Sequence, residues 1–243
     1  RTMSKISCII PAWNTNEEIH RLTQQSVETI NKARKTEMII VDNGSTHNAP
    51  YLREVSDIYI RNQENIGYPG AVNQGLALAS GDIICISNND IRVPENIFDV
   101  GEKILEDRMI GSVHFKMIPY DEPFDFGDKV WKTGKERWCT SSFFLIKKEA
   151  LPKGNYDLGY GMGGYDDWDF QNRVRHINGW ITAYTNKSAY QHWGSWTLKH
   201  IPEFEKSENN REYFKKKYGA YAEDIWMSKY PDQMKADYWK GFE

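Results

Sequence analysis

Between Ile6 and Asp90, short apolar runs alternate with longer segments of mixed polarity. Ile6–Ile10 stops at Pro11, Met38–Val41 at Asp42-Asn43-Gly44-Ser45, and Ile83–Ile86 at Ser87-Asn88-Asn89-Asp90, with Ile58–Ile60 lying between. Runs of this length bounded by turn residues read as buried strands. The intervening segments read as helices. Thr15 is placed to cap the first, with Glu18 at the capping-box spacing, and Ile19, Leu22, Val27 and Ile30 supply its apolar stripe. Pro69–Ser80 is built of small residues and closes at Gly81. Strands alternating with helices predict an α/β fold whose parallel sheet is covered on both faces.

Further along, Pro94–Asp107 reads as a helix with proline near its start, and Ile110–Ile118 and Ser142–Ile146 read as strands. Pro119–Trp138 shows no period and reads as a loop. Asp166–Asn178 is expected to be helical, closed by Gly179. Trp180–Tyr184 and Ser188–His192 read as two short strands. From Pro202 the chain turns polar, with Glu203–Tyr218 as a charged helix. The expected organisation is one domain over 1–201 and a C-terminal helical extension over 202–243.

Composition narrows the function. Among 243 residues, 31 Lys and Arg face 34 Asp and Glu, for a net charge of −3. A strongly basic nucleic-acid footprint is therefore excluded, and nucleic acid is not an expected partner. The Lys215-Lys216-Lys217 run reads as a solvated helix face. Nine Trp and 14 Tyr suit stacking on flat or amphipathic ligands, although core filling explains most of them. The 3 cysteines, Cys8, Cys85 and Cys139, form no CxxC motif, so no zinc knuckle or disulfide framework is indicated. No signal-peptide pattern stands out, and no apolar run approaches the roughly 18 residues of a membrane span. A reducing, cytoplasmic setting without stable membrane insertion is expected.

Three strands end in polar clusters, Pro11-Ala12-Trp13-Asn14, Asp42-Asn43-Gly44-Ser45 and Asn88-Asn89-Asp90. Ligands of open α/β sheets bind beyond such carboxyl ends, so three clusters at one edge point to a nucleotide site. Gly159–Gly164 spells GxGxxG, but Lys153–Asp157 ahead of it is not an apolar strand, and a dinucleotide fingerprint needs one. Its glycines are expected to let the backbone approach a ligand closely.

The order of the motifs resembles family 2 glycosyltransferases of the GT-A fold, a Rossmann-like mixed sheet flanked by helices. Ser7–Asn14 and Ile40–Ser45 look like that family's opening. Asn65-Ile66-Gly67, Ala71–Gly75 and Gly81-Asp82 continue it, and Ser87–Asp90 falls at its DxD-type motif. Trp138–Leu151, Gly164–Phe170 and Gln191–Gly194 match its later strand, its ED-x-D stretch and its late histidine. The likeness covers roughly residues 4–200.

The resemblance implies a nucleotide-sugar donor, a UDP-sugar first, and an acceptor glycan or other hydroxyl compound. It implies a donor pocket of Pro11, Ala12, Trp13, Asp42, Asn65, Gly67, Asn73, Asn88 and Asn89, with Asp42 accepting a hydrogen bond from the base. Asn88 stands where strict DxD has Asp, which leaves Asp90 and His192 to hold Mn²⁺ or Mg²⁺; oxygen ligands suit both, and an imidazole favours Mn²⁺. Asp167 is implied as the base that takes the acceptor proton, giving inversion in one displacement. Asp166, Trp193 and Trp196 are acceptor-side candidates; a core or lid role is equally open to the two tryptophans. The rivals are a nucleotide-sugar-binding relative with weak or no turnover and a sugar nucleotidyltransferase. The latter needs a basic, Gly-rich loop after the first strand, and Pro11–Asn14 offers none.

Overall fold

The computed structural model of the chain describes residues 4–133, 142–194 and 207–218. Its strands are β1 (Ile6–Ala12), β2 (Glu37–Asp42), β3 (Ile58–Arg61), β4 (Ile83–Ser87), β5 (Ile91–Arg92), β6 (Ile110–Pro119), β7 (Val130–Thr133), β8 (Phe143–Lys147) and β9 (Ile181–His192). Its helices are α1 (Glu17–Ala33), α2 (Ala49–Glu54), α3 (Tyr68–Leu78), α4 (Ile97–Leu105), α5 (Asp166–Asn172) and α6 (Ser207–Tyr218). The strands join in one sheet in the order β3-β2-β1-β4-β8-β6-β9-β5, with β7 beside β9.

The first half is parallel, as its alternating pattern requires: β1 pairs with β2 and β4, and β2 with β3. The second half is mixed. Strand β8 runs antiparallel to both β4 and β6, while β6 and β9 are parallel. All seven residues of β1 are buried. Alternate side chains feed two cores. Cys8 and Ile10 pack with Val27 and Ile30 of α1 and Phe98 of α4. Ile9 packs on the other face with Val72 and Leu76 of α3 and Phe170 of α5.

Several expectations need correction. Asn16, not Thr15, caps α1, its side chain accepting from the Ile19 N–H at 3.1 Å. The segment expected as a loop contains β7, where Trp131 packs on Tyr184 at 5.5 Å between ring centroids and the strand pairs with Thr182–Thr185. The two expected late strands are one, β9, whose register on β6 slips between Thr185 and Ala189. The expected 166–178 helix widens into a π-type turn at Arg173–Ile177. Short α2 and β5 carry too few residues for any period to register; β5 is secured by Ser26 of α1, whose Oγ bonds both the N–H and the carbonyl of Ile91. The expected 201/202 boundary lies outside the described residues.

Helix α3 approaches β1 closely because Gly75 faces Ile9, and a Cβ at Gly75 would stand 2.5 Å from Ile9 Cγ2. Gly75→Ala should destabilise by about 1–3 kcal/mol through overpacking, and Ile9→Ala by about 2–5 kcal/mol through the cavity it leaves. Together they should cost less than the sum, since each relieves the other's defect. Urea unfolding of the four-member cycle measures this, and strict additivity would place the two residues out of contact.

Candidate active site

The residues just past β1, β2 and β4 are held mainly by one another. The Asn14 N–H donates to Ser45 Oγ at 2.8 Å, and Asn14 Oδ1 accepts from Thr23 Oγ1 at 2.8 Å. Asn89 Nδ2 donates to Thr23 Oγ1 at 3.0 Å. Asn89, expected to meet the donor, is therefore turned inward against α1 and is 6% exposed. Pro11 and Ala12 are buried residues of β1 itself, and Trp13 is half-buried at its end.

Asp42 is fully buried. Its Oδ1 accepts from the Ser45 N–H at 2.8 Å, and its Oδ2 from the Tyr59 hydroxyl at 2.5 Å and from the Arg61 guanidinium. With no exposed surface, Asp42 reaches a nucleobase only if one of these donors moves aside. The group presented here is Arg61, with its side chain 45% exposed. Sequence reasoning missed Arg61, although a cation closing the apolar run Ile58–Ile60 at this edge was a usable signal.

An amide network braces the neighbouring turns. Asn43 Nδ2 donates to Asn65 Oδ1 at 2.7 Å, and Asn43 Oδ1 accepts from Asn62 Nδ2 at 3.0 Å and the Ile66 N–H at 3.1 Å. Asn62 and Gln74 exchange two bonds of 2.9 Å. Asn65 Oδ1 also takes the Gly67 N–H, so its own amide N–H groups are the part left for a ligand. Two donor-pocket expectations change here. Asn73 bonds the backbone of Tyr156 through both ends of its amide, at 2.8 and 2.9 Å, which pins the 153–160 segment to α3. Gly67, at φ 85°, lies so close to Gly161 that a Cβ would drive into that residue's carbonyl. Gly67 thus serves backbone-to-backbone packing against Gly161, while Gly161, Gly163 and Gly164 supply the positive φ angles of the segment ahead of α5.

Asp90 and His192 come together at the ends of β4 and β9. His192 Nε2 lies 3.2 Å from Asp90 Oδ1 and 3.3 Å from Asn88 Nδ2. Asp90 is 3% exposed, and Oδ1 has no hydrogen-bond donor. A buried carboxylate oxygen without a donor is an orphaned acceptor, and a cation shared with the neighbouring imidazole nitrogen would satisfy it. The donor set fits a divalent ion that draws its remaining ligands from water or phosphate. Among the described residues no group of three or more His, Cys, Asp or Glu side chains gathers as a metal site.

The carboxylates of α5 have separate surroundings. Asp169 is fully buried and paired with Arg173 Nε at 2.7 Å. Asp166 is 5% exposed and accepts from the Gly164 N–H at 2.6 Å. Burial pushes its carboxyl up from 3.8 to about 6, opposed by backbone N–H groups and helped by the charge of Asp169. It is sealed from an acceptor, contrary to expectation. Asp167 is half-buried and accepts from the Trp168 N–H at 2.9 Å. Missed by the sequence reading, Tyr68 of α3 stands beside these two; burial, then the charges of Asp166 and Asp167, hold its phenol well above its ordinary value. Trp193 packs edge-on against Tyr120 at 5.0 Å beside Ile19 and Leu22, so its ring belongs to a small core rather than an open platform. Trp196 lies outside the described residues.

The folded chain keeps the Asp166 proton to about pH 6, whereas the unfolded chain releases it near 3.8. Stability therefore falls as pH rises across that window and stays lower above it. Asp166→Asn keeps an acceptor for Gly164 and removes the charge. Its melting temperature should gain on the wild type as pH is raised from about 4 to about 7. A difference flat in pH would show an ordinary carboxyl.

Comparison with known proteins bears on the fold. Residues 7–115 match the family model of Glycosyl transferase family 2. Glycosyltransferase GlyG of Streptococcus pneumoniae serotype 4 (strain ATCC BAA-334 / TIGR4) is 28% identical over 189 residues, 63% of this chain and 60% of that protein. The chain thus spans three fifths of that relative's length. The mannosyltransferase PcManGT from Pyrobaculum calidifontis, solved with GDP-Man and Mn²⁺, superposes with a TM-score of 0.63 at 18% identity, covering 81% of this chain and 60% of that one. GalNAc-T7, solved with UDP, GalNAc and Mn²⁺, gives 0.64 at 14% identity, covering 79% and 44%. These likenesses establish the GT-A fold, a mixed sheet flanked by helices. Through residues 7–115, a little under half of its length, the chain is similar to glycosyl transferase family 2.

Proposed function

We propose that the chain transfers a sugar from a nucleotide-sugar donor to an acceptor hydroxyl, with inversion and with the help of a divalent cation. The observation that carries this reading is the buried Asp90 Oδ1, which has no hydrogen-bond donor and lies 3.2 Å from His192 Nε2 at the edge where the strand ends converge. Asp90 and His192 would hold the cation, which when bound would offset charge on the departing diphosphate. The imidazole favours Mn²⁺ over Mg²⁺ modestly. Arg61, Trp13 and the Asn65 amide are the groups open to the nucleotide.

Asp167 is the base in this reading. It is the half-buried carboxylate of α5's first turn, whereas Asp166 and Asp169 are buried. It takes the hydroxyl proton as the acceptor oxygen bonds to the anomeric carbon and the bond to the diphosphate breaks. Substitution from the opposite face inverts that carbon. A UDP-sugar and GDP-Man head the donor panel, because structures of similar fold carry UDP and GDP-Man. The acceptor is a glycan or other hydroxyl compound. Among the described residues no helix is long and apolar enough to cross a membrane. A cytoplasmic setting is consistent with Cys8 and Cys85, which sit side by side on β1 and β4 as free thiols.

Asp167→Asn should lower transfer by roughly 10²–10⁴ while donor affinity persists, the range expected for loss of a general base. Near wild-type turnover would move the role elsewhere. Chelation should abolish transfer and Mn²⁺ restore it. Asp90→Ala should remove the stabilisation that Mn²⁺ with UDP gives, about 2.7 kcal/mol at 100 times Kd. Full activity in EDTA would refute the cation.

A further inference from the structure

One face of α6 grips the segment that leads into α5. Asn210 Nδ2 donates to the carbonyls of Tyr160 at 2.9 Å and Gly163 at 2.7 Å. Phe214 is fully buried, its ring 5.8 Å from Tyr165 and 6.0 Å from Trp168. Lys217 donates to Asp157 Oδ2 at 2.8 Å and to Asp169 Oδ1, and the Tyr218 hydroxyl donates to the same Asp169 oxygen at 2.7 Å. The spacing i, i+4, i+7, i+8 places these four side chains on one stripe. The lysine run was expected to be a solvated face; Lys217 remains exposed, but its ammonium is held by Asp157 and Asp169.

Charge makes this contact more than a strap. Asp157, Asp166, Asp167 and Asp169 lie on the gripped segment and the turn that follows it, with Arg173 and Lys217 as the cations bonded to Asp169. The Tyr160, Tyr213 and Tyr218 phenols and the Gly164 N–H complete the polar surroundings, and Tyr68 faces them from α3. Burial opposes the Lys217 charge, but Asp157 and Asp169 outweigh it and hold the ammonium above its ordinary value. Asp169 in turn acts on Asp166 through its charge.

We propose that Lys217 is a positioning residue for the base: from α6 it fixes the segment entering α5 and offsets the negative charge of Asp169 beside Asp166 and Asp167. This rests on the transferase reading, in which Asp167 takes the acceptor proton. Lys217 itself touches no reacting group. Without its ammonium, Asp169 keeps Arg173 alone, the first turn of α5 becomes more negative, and its carboxyls hold protons to higher pH.

The test uses Lys217→Met and Lys217→Arg in the full chain. A ¹³C-carboxyl NMR titration of labelled aspartates reads Asp166 without any turnover. Its midpoint should rise by about half a pH unit, a threefold change in the protonation constant, in the Met variant and return in the Arg variant. The acid limb of the transfer profile should shift with it, while kcat on the high-pH plateau stays within about threefold. Lys217→Gln, which keeps a donor for Asp157, replaces the Met variant if that one fails to fold. An unmoved midpoint with equal losses of melting temperature in both variants would overturn the proposal in favour of a plain structural strap. A moved midpoint with an unmoved acid limb would overturn it too, since the charge would then not reach the base. If the wild type transfers no sugar, the titration still decides the electrostatic link, and it is the transferase reading that fails.

Discussion

Strand β1 is the constraint from which the site follows. It lies between two parallel neighbours and is buried on both faces along its whole length. No polar side chain can sit within such a strand without an internal partner, and Ser7 has one in Glu37. Polar chemistry is thus driven to the carboxyl end, where β2 and β4 stop within two residues of each other. The groups gathered there are crowded and half-desolvated, so most must bond one another.

This crowding divides the edge into scaffold and chemistry. Amides supply the scaffold. Asn14, Asn43, Asn62, Asn73 and Asn89 each use donor and acceptor, or one end of the amide, on a neighbouring turn. An amide suits this work because it donates and accepts without carrying a charge into a buried place. Ionisable side chains are fewer and less completely satisfied. Asp90 faces His192 without a hydrogen bond, Asp166 is buried with a raised pKa, and Arg61 keeps nearly half of its side chain exposed. Perturbed or orphaned groups in a cleft are where function concentrates.

The 157–165 segment shows how a stretch with little regular structure is held in place. Gly67 lets its backbone come against α3, Asn73 bonds Tyr156 from one side, and α6 bonds Tyr160 and Gly163 from another. Three elements distant in sequence therefore fix the entry to α5, and with it the direction in which its carboxylates point. A short helix whose own first turn holds three aspartates gains from the helix dipole, but its placement comes from these outside contacts.

The sequence by itself determined the strand–helix alternation, the position of the polar clusters beyond the strand ends, and the ordered motifs through which residues 7–115 resemble glycosyl transferase family 2. Each of these follows from local pattern: apolar runs of strand length, turn residues after them, and fixed spacing along the chain. Only the tertiary structure decided which way the side chains of those clusters turn. Asn73, Asn89 and Gly67 stood in the right motifs, yet their partners, Tyr156, Thr23 and Gly161, lie far off in sequence, and no local pattern records a hydrogen bond across 83 residues. The same holds for β7, which becomes a strand because β9 offers it an edge, and for Lys217, which a charge run disguises as surface until α6 is docked. Burial and pairing are properties of the assembled chain, so the residues that hold the site became visible only once the elements had packed.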